Sequence, residues 1–263
     1  MVRNWLKRSY IYLMFAFLYA PIIVLAFYSF NNSRSRGTWN GFTFKWYLQM
    51  LQDRQILSSL YNSLTIGLIA ALVATAIGTL AAWGIHRLKS FPKAVIMNLT
   101  YLPVLNPDIV TGISLMLLFI FFKLQLGFLT LLLAHITFNI PYVILSVLPK
   151  LKQLDKNLFE AALDLGATPL QAFWKIILPE ILPGVVTGSL LAFTLSLDDF
   201  VISFFTTGSG VSTLSITIYS MARRGINPKI NALSTLVFGC VLTLLIIVNM
   251  TMSREKPVKS KEV

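Results

Sequence analysis

The sequence has few of the residues from which metal sites and disulfide frameworks are built. Cys240 is its single cysteine and lies within an apolar run, so neither a disulfide framework nor a thiolate metal site is available. The two histidines are far apart, and no cluster of further ligands surrounds either. We interpret His86 as a residue at the edge of an apolar run and His135 as a packed polar residue within one. No metal and no cofactor are predicted.

Charged residues are also scarce, and acidic ones are the scarcest. Asp and Glu number 10 against 22 Lys and Arg, which gives a formal net charge of +12. Hydrophobic residues make up 56% and the mean hydropathy is +0.74, which leaves too little polar surface for an ordinary soluble domain. The basic residues lie in short loops beside long apolar runs. This distribution is typical of a membrane protein and argues against nucleic acid as a partner.

The apolar runs are long enough to cross a bilayer core of about 30 Å, which takes about 20 helical residues. We predict an all-α, polytopic membrane protein with one transmembrane domain over residues 1–263. The six predicted spans cover about 9–30, 60–85, 94–122, 128–148, 182–205 and 232–252. The first span is too long for a signal-peptide core and lacks a small-residue cleavage site after it, so we interpret it as an uncleaved helix.

Several segments between and within the spans carry structural predictions. Residues 31–61 suit a short ordered flap or interface helix, and the tail from Arg254 is predicted to be disordered. A Gly/Ser/Thr-rich turn at 206–213 precedes a short helix that ends at Arg223-Arg224-Gly225. Small residues recur every four positions in the second span, giving a smooth face for close packing within the subunit or with a partner. These residues are Ala70, Ala74, Gly78 and Ala82.

The loop charges predict the orientation of the chain. With the N-terminus inside, fourteen of the 22 Lys and Arg residues lie on the inner side of the membrane and eight on the outer side. Positively charged loops remain preferentially in the cytoplasm. The N- and C-termini and the loop at 150–181 are therefore predicted to be cytoplasmic.

That loop, residues 150–181, is polar and contains two predicted amphipathic helices. The first has apolar residues at helical spacing from Leu154 to Leu165, and Gly166 after it favours a left-handed helix end. The second begins with a capping box, Thr168-Pro169-Leu170-Gln171. Pro179 is predicted to end the second helix. Its predicted apolar stripe is Leu170, Phe173, Trp174 and Ile177.

The same loop reads Glu160-Ala161-Ala162, three residues, Gly166, nine residues, then Ile176-Ile177-Leu178-Pro179. It resembles the EAA loop of the membrane subunits of ABC importers at every defining position. In that family the loop is a cytoplasmic coupling helix that docks on the ATPase subunit. From the residues alone, a helical hairpin on the membrane surface is the alternative. The resemblance implies ATPase coupling by Glu160, Ala161, Ala162, Gly166, Leu170, Phe173 and Trp174.

Further segments resemble the permeases of spermidine/putrescine importers. These segments are 192–205, Asn62-Ser63-Leu64 and Arg223-Arg224-Gly225-Ile226-Asn227-Pro228. The resemblance implies the type I, MetI-like permease fold in a bacterial inner membrane, with polyamine as the cargo. It also implies four protein partners: a homologous permease subunit, two copies of an ATPase, and a periplasmic binding protein. The chain has no phosphate-binding Gly-rich loop, so we expect a transport subunit, with ATP hydrolysed by another chain.

Three acids within predicted spans are the candidate cargo-pathway residues, because a charge in the bilayer is costly and usually functional. Asp108 follows Pro107 in the third span, where Pro103 and Pro107 are predicted to bend or unwind the helix. Asp198 and Asp199 lie in the fifth span and would point about 100° apart on one helix. The alternative is that these acids cap broken helices or pair with Arg223 and Arg224.

Three other functions are alternatives to polyamine import. An intramembrane aspartyl protease is excluded, because its Tyr-Asp and Gly-x-Gly-Asp contexts do not occur in the sequence. A secondary transporter would usually show an internal repeat with paired broken helices, whereas the sequence indicates one broken helix and no clear repeat. An importer for another small solute, such as an iron complex or an amino-acid derivative, stays open.

Overall fold

The computed structural model describes residues 2–34, 37–155, 157–225 and 227–254, and the predicted all-α class is confirmed. Outside the described residues lie Arg36, Lys156 and Ile226. The tail from residue 255, which is predicted to be disordered, also lies outside them. The helices are α1 Val2–Ser29, α2 Lys45–Leu51, α3 Arg54–Arg87, α4 Ser90–Leu105, α5 Asp108–Phe121, α6 Phe128–Gln153, α7 Leu158–Asp164, α8 Pro169–Ala172, a π-helical turn Phe173–Ile177, α9 Leu178–Asp198, α10 Val201–Thr206, α11 Leu214–Arg223 and α12 Pro228–Arg254.

Judged by length and composition, fewer helices can cross a membrane than the six spans predicted from the sequence. Within the described residues, four helices are long and apolar enough to cross a membrane. They are Arg8–Ser29, Arg54–Arg87, Phe128–Gln153 and Pro169–Asp198. The bent pair α4 and α5 brings the count to five if it is one broken span. Over the sixth predicted span, α12 is helical throughout, but its described apolar part, Pro228–Thr243, is shorter than a full span.

The chain divides into two compact units, one of Met1–Leu57 with Ile218–Val263 and one of Ser58–Thr217. In the first, α12 packs against α1 and α2. The predicted ordered segment after the first span is confirmed: the Trp46 indole donates a 2.7 Å hydrogen bond to the Asn31 carbonyl, and Phe30 stacks on Phe42. A hydrogen bond from Lys229, 2.9 Å from the Asp53 carboxylate, holds the pKa of that carboxyl below its usual range.

In the second unit, α6 packs against helices that present small residues to it. The predicted smooth face of α3 is buried at Ala70, Ala74 and Ala82. A Cβ added to Gly78 would lie 2.7 Å from the Val143 Cβ of α6, so this face is used for packing within the subunit. A second face of the same kind, on α9, was not recognised from the sequence despite its four-residue spacing. It consists of Gly184, Gly188, Ala192 and Ser196.

The close approach of α3 and α6 leads to a stability prediction. Gly78→Ala should lower the free energy of unfolding by about 1–3 kcal/mol, because the new methyl group meets Val143 at a distance no packed core tolerates. The matched control is Gly84→Ala on the same helix, where an added Cβ meets nothing within 4 Å. Melting temperatures of the purified protein in detergent measure both variants. Equal melting temperatures for the two would contradict the packing described here.

The third span is broken, as predicted, but at only one of its two prolines. Pro103 stays inside α4, whereas α4 and α5 meet at an angle of 105° around Asn106 and Pro107. Asn106 has an extended backbone with ψ 144°, the conformation favoured before proline. Asp108 is consequently the first residue of α5.

The fifth span is also broken, so the prediction that Asp198 and Asp199 lie 100° apart on one helix is wrong. Helix α9 ends at Asp198, and Asp199 has ψ 124°, outside the helical region. The Asp199 carboxylate then accepts hydrogen bonds from the backbone N–H groups of Ile202 (3.1 Å) and Ser203 (2.7 Å), which start α10. The side chain caps a new helix, and this stabilises the break. The expectation of a single broken helix is corrected to two.

The prediction that Pro179 ends the second loop helix is also wrong. Residues 169–198 form one continuous helical stretch that contains the π-helical turn. In this turn the Leu178 N–H bonds to the Phe173 carbonyl, five residues earlier. Proline clashes with the carbonyl four residues before it in a regular α-helix, and a π-turn changes this spacing. The helix therefore continues past Pro179 into the membrane span.

Candidate functional site

The three predicted pathway acids line one cavity of about 240 Å³. It lies where the breaks of the third and fifth spans meet, because α5 packs against α10. The approach is close at Gly112, where an added Cβ would lie 3.4 Å from the Ile202 Cα. The lining residues are Asp108, Phe138, Leu195, Asp198, Asp199, Phe200 and Val201. Two breaks distant in sequence thus combine into one acidic, partly aromatic site.

The acids have different environments. Asp108 and Asp198 are exposed, and among the described residues neither side chain has a hydrogen-bond or ion-pair partner. The Asp199 side chain is only 6% exposed and caps α10. The alternative that an acid caps a broken helix therefore describes Asp199. Asp108 and Asp198 have carboxylates available for a cation.

A row of buried polar contacts joins α6 to the broken fifth span. The Thr130 hydroxyl donates to the Thr206 carbonyl at 2.9 Å, and the Asn139 amide donates to the Ser196 hydroxyl at 2.7 Å. Between them, His135 Nε2 is 3.0 Å from the Ser203 hydroxyl and 3.7 Å from the Asp199 carboxylate.

His135 is therefore a packed polar residue, as predicted, and the row fixes the geometry of the break. The row was missed from the sequence. Its signal was Thr130, His135 and Asn139, spaced four or five residues apart in an otherwise apolar helix.

Two helix ends in the loop at 150–181 have the local structure that the sequence predicts. Gly166 has φ +86°, its N–H bonds to the Leu163 carbonyl, and the Ala167 N–H bonds to the Ala162 carbonyl. This pair of bonds is the Schellman helix end, which favours glycine. The predicted capping box is also present. The Gln171 N–H lies 3.4 Å from the Thr168 hydroxyl, and the Gln171 side chain accepts from the Thr168 N–H at 3.0 Å.

The predicted apolar stripe of this loop divides into two faces. Phe173 and Ile177 are buried within the chain at 1% and 4% exposure. Leu170 and Trp174 are exposed at 67% and 57%, and Leu165 at the end of α7 at 89%. Each pair is four residues apart, and the two pairs occupy neighbouring sides of the helix. Of the motif residues, Ala162 is buried, whereas Glu160, Ala161 and Gly166 are exposed.

Comparison with known proteins defines the class. Residues 74–254 match the family model described as binding-protein-dependent transport system inner membrane component, and the chain belongs to this family. It is 40% identical to the spermidine/putrescine transport system permease protein PotC of Escherichia coli over 97% of each chain. It is also 43% identical to the putrescine transport system permease protein PotI of the same organism, over 91% of this chain and 88% of that one.

The fold is shared with a solved importer. A chain of a bacterial ABC transporter involved in the import of the acidic polysaccharide alginate superposes with a TM-score of 0.72 over 97% of each chain, at 18% identity. The predicted MetI-like permease fold and the resemblance to spermidine/putrescine-type permeases are confirmed. The chain is thus an inner-membrane transport component.

Proposed function

We propose that this chain is a permease subunit of an ATP-driven importer that passes polyamines, spermidine or putrescine, from a periplasmic binding protein into the cytoplasm. The observation that carries the proposal is the cavity in which Asp108 and Asp198, without a partner among the described residues, present carboxylates beside Phe138 and Phe200. An ammonium group is costly in a low dielectric unless a carboxylate offsets its charge. Aromatic rings attract the same cation and cover its methylene groups. Asp199 contributes through the cap that shapes the cavity.

The proposed partners follow the family and the site. A homologous permease subunit would supply the other half of the pathway in a heterodimer, a periplasmic binding protein would deliver the cargo, and two ATPase subunits would hydrolyse ATP. The chain itself is then not an enzyme. The excess of basic residues on one side supports cytoplasmic N- and C-termini. That orientation places the loop at 150–181 in the cytoplasm, where the ATPase would dock.

The proposed ATPase contact is an exposed apolar surface formed by Leu165, Leu170 and Trp174, which we term the docking surface. Exposed apolar side chains next to a polar loop are typical of a protein interface. Glu160 and Ala161 lie exposed on the adjoining α7. Phe173 is enclosed within the chain, so in this proposal it anchors the loop from inside instead of touching the ATPase.

The docking surface can be tested by co-purification. Trp174→Ala should reduce the ATPase recovered with this chain about tenfold or more, since tryptophan is enriched among the few residues that carry most of an interface's binding energy. Leu170→Ala should reduce it less, because leucine is seldom one of those residues. Tenfold corresponds to roughly 1.4 kcal/mol. The matched control is Leu68→Ala, a residue of α3 that is 54% exposed within the span. Undiminished recovery in both loop variants would exclude this surface as the contact.

The transport proposal is tested by uptake of labelled spermidine into proteoliposomes. The complete complex should accumulate spermidine only with ATP inside and the binding protein outside, and the isolated chain should transport nothing. The two broken spans are a feature that secondary transporters also have. ATP-independent uptake by the isolated chain would therefore favour a secondary transporter. Competition by an iron complex or an amino-acid derivative, without competition by putrescine, would indicate a different cargo.

A further inference from the structure

Helix α3 holds both helices of the 150–181 loop through one turn at its C-terminal end. The Trp83 ring lies 4.6 Å from the Phe173 ring and 6.1 Å from the Phe159 ring, centroid to centroid. One turn later, the Arg87 guanidinium lies 4.1 Å over Phe159 and 5.4 Å over Trp83. Phe159 belongs to α7 and Phe173 to the π-helical turn. A displacement of either loop helix would therefore act directly on α3.

Toward the other end of α3, Asn62 and Ser63 are hydrogen-bonded to the chain that follows the broken fifth span. The Ser63 hydroxyl accepts from the Leu214 N–H at 2.8 Å, and the Asn62 amide donates to the Ser212 carbonyl at 3.1 Å. In turn, the Ser215 hydroxyl donates to the Leu197 carbonyl at 3.2 Å, one residue before Asp198. The contact thus reaches the residue next to the acidic cavity.

Between these two ends α3 is a continuous helix with no proline. Trp83 lies twenty positions after Ser63, which corresponds to about 30 Å along the helix axis. An unbroken α-helix can transmit an axial displacement, because each turn is hydrogen-bonded to the next. Along its length α3 is supported by α6, because its buried face presents small side chains and an added Cβ at Gly78 would already meet Val143.

We infer that α3 acts as a rigid rod that transmits ATPase-driven movement of the loop to the acidic cavity. At one end of this rod Trp83 and Arg87 contact the loop helices. At the other end Asn62 and Ser63 are hydrogen-bonded to the segment that reaches the cavity. The inference rests on the proposed function, since it assumes an ATPase below the loop. Trp83 and Ser63 are positioning residues in this scheme. Neither lines the acidic cavity, and both act on the geometry of that cavity through other residues.

The test measures movement at the cavity without relying on cargo. Val201→Cys places a reporter in the cavity lining, in a chain whose exposed Cys240 is first replaced by serine. The complex, purified through a tag on this chain, is labelled with a water-soluble maleimide with and without ATP. The reference complex should show an ATP-dependent change in labelling rate of about threefold or more. Trp83→Leu and Ser63→Ala should each abolish most of that change while ATP hydrolysis continues.

Two further variants separate transmission from folding. Trp83→Phe keeps an aromatic ring against Phe173 and should restore the ATP-dependent change in labelling. Leu72→Ala, at a residue of α3 that is 58% exposed, is the matched control and should behave as the reference. The rod proposal would be overturned if the ATP-dependent change in labelling rate persisted in Trp83→Leu and Ser63→Ala. It would also be overturned if ATP did not alter the labelling rate of the reference complex. Loss of co-purified ATPase in Trp83→Leu would overturn it too, because Trp83 would then only shape the docking surface.

The same experiment distinguishes failure of the rod from failure of the cargo assignment. If the reference complex shows the ATP-dependent labelling change and the variants lose it, the rod is supported even when spermidine uptake is absent. Only the polyamine assignment fails in that case. The converse result is that the complex takes up spermidine with ATP while Trp83→Leu leaves the ATP-dependent labelling change intact. That result would support the proposed function and contradict the rod proposal.

Discussion

Asp198→Asn and Asp108→Asn are each expected to lower spermidine uptake about tenfold or more, equivalent to roughly 1.4 kcal/mol of lost transition-state stabilisation. Asparagine keeps the size of the side chain and removes its charge, so the substitution isolates electrostatics. Both carboxylates line the cavity without a partner of their own among the described residues. A passing ammonium group would therefore lose its counter-charge in either variant. Initial rates of ATP-driven uptake in proteoliposomes measure the effect.

Asp199→Asn is the matched control for this experiment. The Asp199 carboxylate already accepts two backbone hydrogen bonds and caps α10, and asparagine is also a favoured N-cap residue. Uptake per assembled complex should therefore fall less in this variant than in the other two. Expression and ATPase recovery should be unchanged in Asp108→Asn and Asp198→Asn, because neither carboxylate has a hydrogen-bond or ion-pair partner among the described residues. Uptake that survives Asp108→Asn and Asp198→Asn combined would remove the main physical support for a cationic cargo.

Features that depend on a few neighbouring residues could be predicted from the sequence. The left-handed Gly166 and the capping box of Thr168 and Gln171 are set by one helical turn, and both are present as expected. The break beside Pro107 follows from the steric demands of proline on the residue before it. The long spans follow from hydropathy alone.

Features that depend on tertiary partners could not be predicted in the same way. Asp199 is not helical, because its carboxylate caps α10. The carboxylate also lies 3.7 Å from His135, and this contact between residues far apart in sequence cannot be read from local patterns. Leu170 and Phe173 look alike as apolar residues of one stripe, yet only Phe173 meets the Trp83 ring and becomes buried. Pro179 lies within a continuous helix because a π-turn precedes it, and no rule of local propensity places that turn.

Gly166→Val is expected to uncouple ATP hydrolysis from transport while the protein stays in the membrane. Gly166 has φ +86°, a backbone conformation that a β-branched residue adopts only with strain. An added Cβ would meet nothing within 4 Å, so the effect comes from the backbone and not from a clash. The strained residue would unwind the Schellman end of α7, whose bonds orient α7 relative to α8. Co-purified ATPase, or the ratio of spermidine transported to ATP hydrolysed, should then fall about tenfold, or roughly 1.4 kcal/mol.

Gly166→Asn separates backbone strain from side-chain identity, because asparagine tolerates the left-handed conformation better than any branched residue. It should retain most of the coupling that Gly166→Val loses. Glu160→Lys probes the other end of α7, where Glu160 lies in the first turn and a cation opposes the helix dipole. It should weaken coupling in the same direction as Gly166→Val. Normal coupling in both Gly166→Val and Glu160→Lys would mean that the local geometry of α7 does not govern the ATPase contact, and the loop would then be a surface hairpin.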